Sequence, residues 1–330
     1  MHLRQGSDPP TGLRPSRNPR PASGLPATPD RPPAFPPDMP HHPPRTKFQT
    51  MTTLSEPVFS PDDIDGLAWF YSMHGYAVLR GMQSEADVDR MEAECVAAQN
   101  AVVAGELDAR YGSTVFLDEA AKADRFANYV EFVNEVSPAV HEAITHPTLV
   151  DAVRRLLGDT AWLRDSEQFG VVYQDARPGK ESGYTRIGWH SDWQASPSLD
   201  IWPSTAFTFH IDGTSPANGF LRVVPGSHLW ATPAPYRNIN NVEVPSTARA
   251  TGGRSASAPP FPMPLGFEKV RGEVAVYVER GDVILHDAYL WHSAARATDD
   301  HATRRHVRGG YFAGTAPEAG VEEFIKNAAR

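Results

Sequence analysis

The chain has a single cysteine, Cys95, among its 330 residues. It therefore cannot form an internal disulfide, which is typical of a protein that folds in a reducing compartment, and we predict a cytoplasmic location. Cys95 lies in RMEAECVAAQN, a segment with helical character. We interpret it as a buried structural thiol rather than a nucleophile.

Long apolar runs and excess positive charge are also missing. We find no run of about 18 apolar residues, the length that a membrane-spanning helix needs, so we predict no membrane partner. The formal net charge of -9 opposes binding to a phosphate backbone, so we predict no nucleic-acid partner. A small molecule remains as the expected partner, and the sequence indicates no oligomeric state.

Residues 1–50 differ in composition from the rest of the chain. They hold 14 of the 31 prolines and have almost no apolar periodicity. Such a segment cannot bury enough apolar surface to offset the entropy of ordering it. We predict a disordered, dispensable extension over 1–50 and a single domain over 51–330.

The first part of the domain predicts helices and the second part predicts strands. Ser60 and Ser84 resemble helix N-caps. Helices are predicted at about 61–74, 84–104, 117–126 and 138–157. From about residue 161, short apolar segments separated by Gly and Pro favour a sandwich or barrel. The long segment 231–268, rich in Pro, Ser and Ala, is predicted to be a lid loop over the mouth of the barrel.

The segment TRIGWHSDWQ contains the first candidate site residues, His190 and Asp192. In a strand, residues i and i+2 point the same way, so the imidazole and the carboxylate would converge. A second His-x-Asp pair, His210 and Asp212, ends a strand and leads into a turn. We favour the first pair as functional, while His210 either lines the barrel or is satisfied structurally.

A third candidate, His292, follows the apolar segment GDVILH and precedes a basic pair, Arg304 and Arg305. Two histidines and one carboxylate on one side of an octahedral metal form the arrangement of non-haem Fe(II) oxygenases. The open positions suit a bidentate 2-oxo acid and O2. A guanidinium about a dozen residues later could clamp the far carboxylate of 2-oxoglutarate.

At this point the sequence resembles the phytanoyl-CoA dioxygenase family of Fe(II)/2-oxoglutarate oxygenases, whose bacterial members include ectoine hydroxylase. The resemblance covers most of 56–315. The segments that carry it are GYAVLRG, WHSDW, NGFLRVVPGSH, GDVILHDAYLWHS and the spacing of Arg304 and Tyr311. It implies a mainly β fold with flanking helices, namely a double-stranded β-helix, or cupin-like jelly roll, with an N-terminal helical part.

The resemblance also implies a site and a reaction. His190, Asp192 and His292 would be the iron ligands and so the catalytic residues, and Arg304 the 2-oxoglutarate anchor. With Fe(II), 2-oxoglutarate and O2, the protein would hydroxylate or otherwise oxidise an unactivated C–H bond of a natural-product or amino-acid-like metabolite, releasing succinate and CO2. Two alternatives remain open: a zinc- or manganese-dependent cupin-type enzyme without oxidation, and a catalytically silent ligand-binding member.

Other side chains are secondary candidates. Arg305 is the alternative co-substrate anchor, and Tyr173 and Thr208 have the strand parity to face the pocket and touch the co-substrate. Candidate substrate-binding residues are Trp193, Gln194 and Arg237.

Two positions near the last ligand need a separate interpretation. His286, six residues before His292, is read as a packing residue. The family often has a small or hydroxyl residue two positions after the last histidine. That position is Ala294 here, so Ser293 or another strand would have to supply the contact.

Overall fold

The computed structural model describes residues 57–112, 114–117, 125–164, 170–176, 188–192, 204–230, 269–295, 297–299 and 301–316. All of these belong to one compact unit, Ser55–Arg330. Several predictions concern parts of the chain outside the described residues and stay predictions: the extension 1–50, the lid loop 231–268, and the roles of Trp193, Gln194 and Arg237. Within the described ranges, no helix has both the length and the apolar character to cross a membrane.

Five helices lie in the described part of the chain: α1 (Ile64–His74), α2 (Glu85–Ala104), α3 (Val133–Val136), α4 (Pro138–Ile144) and α5 (Pro147–Leu157). The Ser84 side chain caps α2 by accepting a hydrogen bond from the Asp87 amide, as predicted. Asp63, rather than Ser60, caps α1, because its carboxylate accepts from the Gly66 amide.

Two helix predictions need correction. The segment 138–157 forms two helices, since the ring of Pro147 cannot continue a helix and starts a new one instead. The sequence predicts a helix over 117–126, but Leu117 ends one strand and Arg125 begins the next. The residues between these two lie outside the described ranges.

Twelve strands complete the described part: β1 (Val58–Phe59), β2 (Tyr76–Leu79), β3 (Thr114–Leu117), β4 (Arg125–Glu131), β5 (Trp162–Leu163), β6 (Val172–Ala176), β7 (Ser204–His210), β8 (Leu221–Val223), β9 (Val274–Val276), β10 (Val283–Asp287), β11 (His292–Ala294) and β12 (Arg304–Phe312). The larger, nine-stranded sheet has the order β1-β2-β10-β7-β12-β6-β4-β3, with β5 paired to β12. The smaller sheet has the order β11-β8-β9.

One face of the larger sheet carries the helices. Tyr71 on α1 donates a hydrogen bond to Thr205 Oγ1 on β7, and Tyr311 on β12 donates to the Ile144 carbonyl at the end of α4. Cys95 on α2 is fully buried in the same apolar layer, as predicted. The main hydrophobic core therefore lies between the helices and this face, which we call the outer face.

The opposite face of the larger sheet, the inner face, carries many polar side chains. Its side chains include His286 on β10, Thr208 and His210 on β7, and Arg304, His306 and Arg308 on β12, which the strand register places on one side. The mainly β architecture with flanking helices is the predicted jelly roll, so the fold prediction is confirmed. A barrel with a polar interior and an apolar exterior layer is suited to binding a polar ligand inside.

Candidate metal centre and co-substrate pocket

Three side chains from two distant parts of the chain meet at one point. The ligand atoms of His190, Asp192 and His292 all lie within 4.8 Å of one another. Asp192 Oδ1 is 3.8 Å from His190 Nε2 and 3.7 Å from His292 Nε2. Both imidazoles are buried, whereas the Asp192 side chain is 23% exposed. The group is therefore open to the solvent side through its carboxylate.

The backbone holds the two histidines together. The His190 amide donates to the His292 carbonyl at 3.0 Å, and the His292 amide donates to the His190 carbonyl at 2.8 Å. This antiparallel bridge places His190 beside β11, the edge strand of the smaller sheet. The bridge sets the separation of the two rings, whose centroids are 4.2 Å apart.

Hydrogen bonds to the other ring nitrogen fix the tautomer of each histidine. His190 Nδ1 lies 2.9 Å from the Gly188 carbonyl, and His292 Nδ1 lies 2.9 Å from the Leu290 carbonyl. A carbonyl can only accept, so Nδ1 carries the proton and Nε2 keeps its lone pair for a metal. Partners of this kind orient metal-binding imidazoles in proteins.

The donor set fits the implied ion. Two imidazole nitrogens and one carboxylate oxygen, grouped on one side, leave three positions of an octahedral metal open, as a non-haem iron oxygenase requires. His190, Asp192 and His292 are thus brought together as the sequence predicts. Their role as iron ligands is a proposal, taken up below.

His286 also lies at this group, which the sequence interpretation as a packing residue did not anticipate. Its Nε2 is 3.6 Å from Asp192 Oδ2, and its ring centroid is 4.5 Å from that of His292. The imidazole is buried, as a packing residue would be, but it faces the carboxylate of Asp192. The spacing of six residues from His292 was the available signal, since it places the two histidines on consecutive strands, β10 and β11, which belong to the two different sheets.

Arg304 and Arg305 point to opposite faces of β12. Arg305 lies on the outer face, where it donates two side-chain hydrogen bonds to Asp212 and one to Glu92. These bonds, those to Asp212 first, raise the pKa of Arg305. Arg304 is buried on the inner face beside Gly219, where an added Cβ would come within 3.0 Å of the guanidinium. Of the two candidates for the anchor, only Arg304 faces the barrel interior.

The two other co-substrate candidates separate in the same way. Thr208 pairs in register with Arg308 and lies on the inner face, so its contact with the co-substrate stays a prediction. Tyr173 pairs with Val307 and lies on the outer face, where burial raises the pKa of its hydroxyl and Asp175 and Cys95 add to the effect. The prediction that Tyr173 faces the pocket is wrong, because β6 is buried on both faces and its pattern carries no parity signal.

On the outer side of the smaller sheet, Arg222 contacts the chain neighbours of the two histidines. The Arg222 guanidinium lies 4.9 Å from the ring centroid of Trp189 and donates to Ser293 Oγ at 2.9 Å. Trp189 precedes His190, and Ser293 follows His292. Ser293 is thus engaged on the outer side rather than directed into the barrel, so the suggested contact of Ser293 with the co-substrate is not what the structure shows.

The second His-x-Asp pair is divided between the two faces. Asp212 binds Arg305 on the outer side. The His210 ring is buried on the inner face, stacked on His306 with centroids 5.6 Å apart. Burial, reinforced by Arg304, lowers the pKa of His210 to about 3. His210 therefore lines the barrel as a neutral imidazole, which resolves the alternative left open by the sequence.

Comparison with known proteins places this chain in a family. The family model for phytanoyl-CoA dioxygenase matches residues 71–306. An ectoine dioxygenase of Nocardia farcinica (strain IFM 10152) is 26% identical over 227 residues, covering 61% of this chain and 69% of the relative. The region matched by the family model, 71–306, contains His190, Asp192 and His292.

Two solved structures share the fold. The EctD structure from S. alaskensis with 2-oxoglutarate and 5-hydroxyectoine is 20% identical, with a TM-score of 0.51 and coverage of 79% of this chain and 78% of that one. The epimerase SnoN, in complex with Fe3+, alpha ketoglutarate and nogalamycin RO, is 18% identical, with a TM-score of 0.52 and coverage of 80% and 90%. With the family match over most of the barrel, the chain belongs to the phytanoyl-CoA dioxygenase family of non-haem iron, 2-oxoglutarate-dependent dioxygenases.

Proposed function

We propose that this protein oxidises an unactivated C–H bond of a small molecule, most simply by hydroxylation, with 2-oxoglutarate converted to succinate and CO2. The observation that carries the proposal is the group His190, Asp192 and His292, with both Nδ1 protons donated to backbone carbonyls. A natural-product or amino-acid-like metabolite is the proposed substrate class. The compounds 5-hydroxyectoine and nogalamycin RO are bound in the structures of the similar proteins, and neither is assigned to this chain as a ligand.

Each residue of the site would have a separate role. His190, Asp192 and His292 would hold Fe(II) through Nε2, a carboxylate oxygen and Nε2, leaving one side open. The bound iron, with 2-oxoglutarate and O2, supplies the oxidising chemistry, while the protein supplies position and excludes water. In both histidines the Nδ1 bond already selects the tautomer in which Nε2 can bind a metal.

Arg304 would hold the distal carboxylate of 2-oxoglutarate. Its planar guanidinium can donate two parallel hydrogen bonds to a carboxylate, and burial strengthens such a pair by excluding water. Its place on the inner face of β12 supports this role. The partial exposure of Asp192, by contrast, leaves a route by which a substrate can approach the metal side of the pocket.

The test is anaerobic reconstitution with Fe(II) and 2-oxoglutarate, recorded by visible spectroscopy. We expect a weak charge-transfer band in the wild type, no band in His190→Ala, and a higher co-substrate requirement in Arg304→Ala. The exposed residues His141 and Arg271 provide matched controls, and His141→Ala and Arg271→Ala should behave as wild type. Absence of the band in the wild type would contradict the proposal and favour a non-oxidative metal enzyme or a silent binding protein.

A further inference from the structure

Arg308 is a second arginine on the inner face of β12, four residues after Arg304. Its register partners are Val172 on β6 and Thr208 on β7. The side chain is partly buried, and its guanidinium lies 5.3 Å from the ring centroid of Tyr129 on β4. It is therefore held against an aromatic face of the barrel wall rather than extended into bulk solvent.

Arg308 has no carboxylate partner in the described part of the chain. None of the ion pairs there includes it, and its Nε is buried without a hydrogen bond. Glu131, which is also on the inner face, lies two strands away in register, with Val172 between them, and forms no ion pair with Arg308. By contrast, Arg305 and Arg222, which lie on the outer side of the two sheets, have acidic partners in Asp212 and Glu273.

A neighbouring amide is likewise unsatisfied. Gln174 on β6 is fully buried on the same face, in register with His306, and neither its Oε1 nor its Nε2 has a hydrogen-bond partner among the described residues. Buried polar atoms are nearly always hydrogen-bonded in folded proteins, so a polar ligand or water inside the barrel would satisfy the Gln174 amide. Gln174 and Arg308 face the same part of the barrel.

The position of Arg308 separates it from the co-substrate anchor. On the inner face of β12 the order is Arg304, His306, Arg308 and Gly310. Gly310 is in register with Ala206, which pairs with His286, the residue that touches Asp192. Arg308 therefore lies nearer to the metal side of the pocket than Arg304 does. With Arg304 occupied by 2-oxoglutarate, Arg308 is left facing the space that a substrate would enter.

We propose that Arg308 binds an anionic group of the substrate, so that this oxygenase acts on a small molecule carrying a carboxylate or a chemically similar anion. A partly buried guanidinium gains most from an anion that can accept two parallel hydrogen bonds. The Tyr129 ring holds the guanidinium in place, which reduces the entropy lost on binding. The Gln174 amide supplies a second polar contact on the same wall. This inference rests on the proposed function.

The test uses trifluoroacetate as the anion and fluorine NMR as the readout. Trifluoroacetate is a weakly basic carboxylate that coordinates metals poorly but can pair with a guanidinium. Full-length protein is loaded with Mn(II) in place of Fe(II) and saturated with 2-oxoglutarate, so that Arg304 is occupied. We expect Mn(II) to broaden the fluorine signal in the wild type. Titration gives the affinity for the anion.

Three variants identify the residue responsible. Arg308→Met should abolish the broadening, or weaken anion affinity about tenfold or more, as expected for loss of a hydrogen bond to a charged group. Arg308→Lys keeps the positive charge and should retain part of the broadening. Arg271→Met removes an exposed arginine and should behave as wild type. If Arg308→Met does not fold, Arg308→Lys and Gln174→Met are compared with wild type instead. Both variants should have a lower affinity for trifluoroacetate than wild type.

The outcomes distinguish this inference from the proposed function. Failure of the wild type to bind Mn(II) and 2-oxoglutarate contradicts the proposed function itself. If both bind but the fluorine signal stays sharp, the pocket has no anion site and the inference is overturned. The same holds if broadening persists unchanged in Arg308→Met, because another group then holds the anion. If Arg308→Met loses 2-oxoglutarate rather than trifluoroacetate, Arg308 is a co-substrate residue and the inference is again wrong.

Discussion

His190 and His292 exchange two backbone hydrogen bonds, with N–O distances of 3.0 and 2.8 Å, although the two residues lie far apart in the chain. A bridge of this kind fixes the two backbones directly opposite each other, and so fixes the distance between their side chains. The spacing of the two imidazoles, the proposed nitrogen ligands, therefore depends on strand pairing and does not require a metal. Because the imidazoles are already held in place, less conformational entropy would be lost when a metal binds.

Arg222 should be a positioning residue for this bridge. It contacts Trp189 and Ser293, which flank the two histidines. We expect Arg222→Met to weaken Mn(II) or Fe(II) affinity about tenfold, as loss of an outer support for metal ligands does elsewhere. Competition with a chromogenic chelator measures this. Arg271→Met is the control, and an unchanged metal affinity in Arg222→Met would show that the bridge needs no support.

The two adjacent arginines should have separable roles. Arg305→Met removes hydrogen bonds to Asp212 and Glu92, so we expect the free energy of unfolding to fall by about 2 kcal/mol with the co-substrate affinity unchanged. Arg304→Met should do the reverse, weakening 2-oxoglutarate binding. Urea denaturation and isothermal titration measure the two quantities. A loss of co-substrate binding in Arg305→Met at unchanged stability would contradict the assignment.

The metal-free protein should lose stability as the pH falls from about 7 to about 5. Burial first, and Arg304 among the nearby charges, lower the pKa of His210 to about 3, and burial also lowers the pKa of His306. In the unfolded chain both take up protons near pH 6.5, so the unfolded state binds more protons over this range and stability rises with pH.

His210→Phe tests the origin of this pH dependence. Phenylalanine keeps an aromatic ring against His306 but does not titrate. Urea denaturation at pH 7 and pH 5 measures the free energy of unfolding of both proteins. The decrease from pH 7 to pH 5 should be smaller in His210→Phe than in wild type. Equal losses in the two proteins would show that His210 does not contribute.

The single cysteine should resist modification in the native protein. Cys95 is fully buried, and burial, with Glu94 adding to it, raises the pKa of its thiol. The thiol therefore stays protonated and inaccessible at pH 8, so we expect no reaction with Ellman's reagent until urea unfolds the protein. Rapid reaction of the native protein would contradict the packing of α2 on the sheet.

The sequence by itself determined the local features of this protein. The N-cap at Ser84, the strands after about residue 161, and the pairing of His190 with Asp192 all follow from interactions within a few residues. These depend on side-chain chemistry and on the two-residue period of a strand, which are readable along the chain. The same period showed that Arg304 and Arg305 face opposite ways. The strands β3 and β4, which lie earlier in the chain, were not predicted.

Only the tertiary structure decided which faces look inward. Tyr173 was assigned to the pocket but packs outward, because β6 is buried on both sides and its residues give no alternation. The composition near Leu117 and Arg125 favours a helix, but these residues form strands because β3 and β4 pair with each other. The place of His286 beside Asp192, and of Arg308 beside Tyr129, likewise depends on how distant strands pair. Register between strands is a property of the whole sheet, and no local segment contains it.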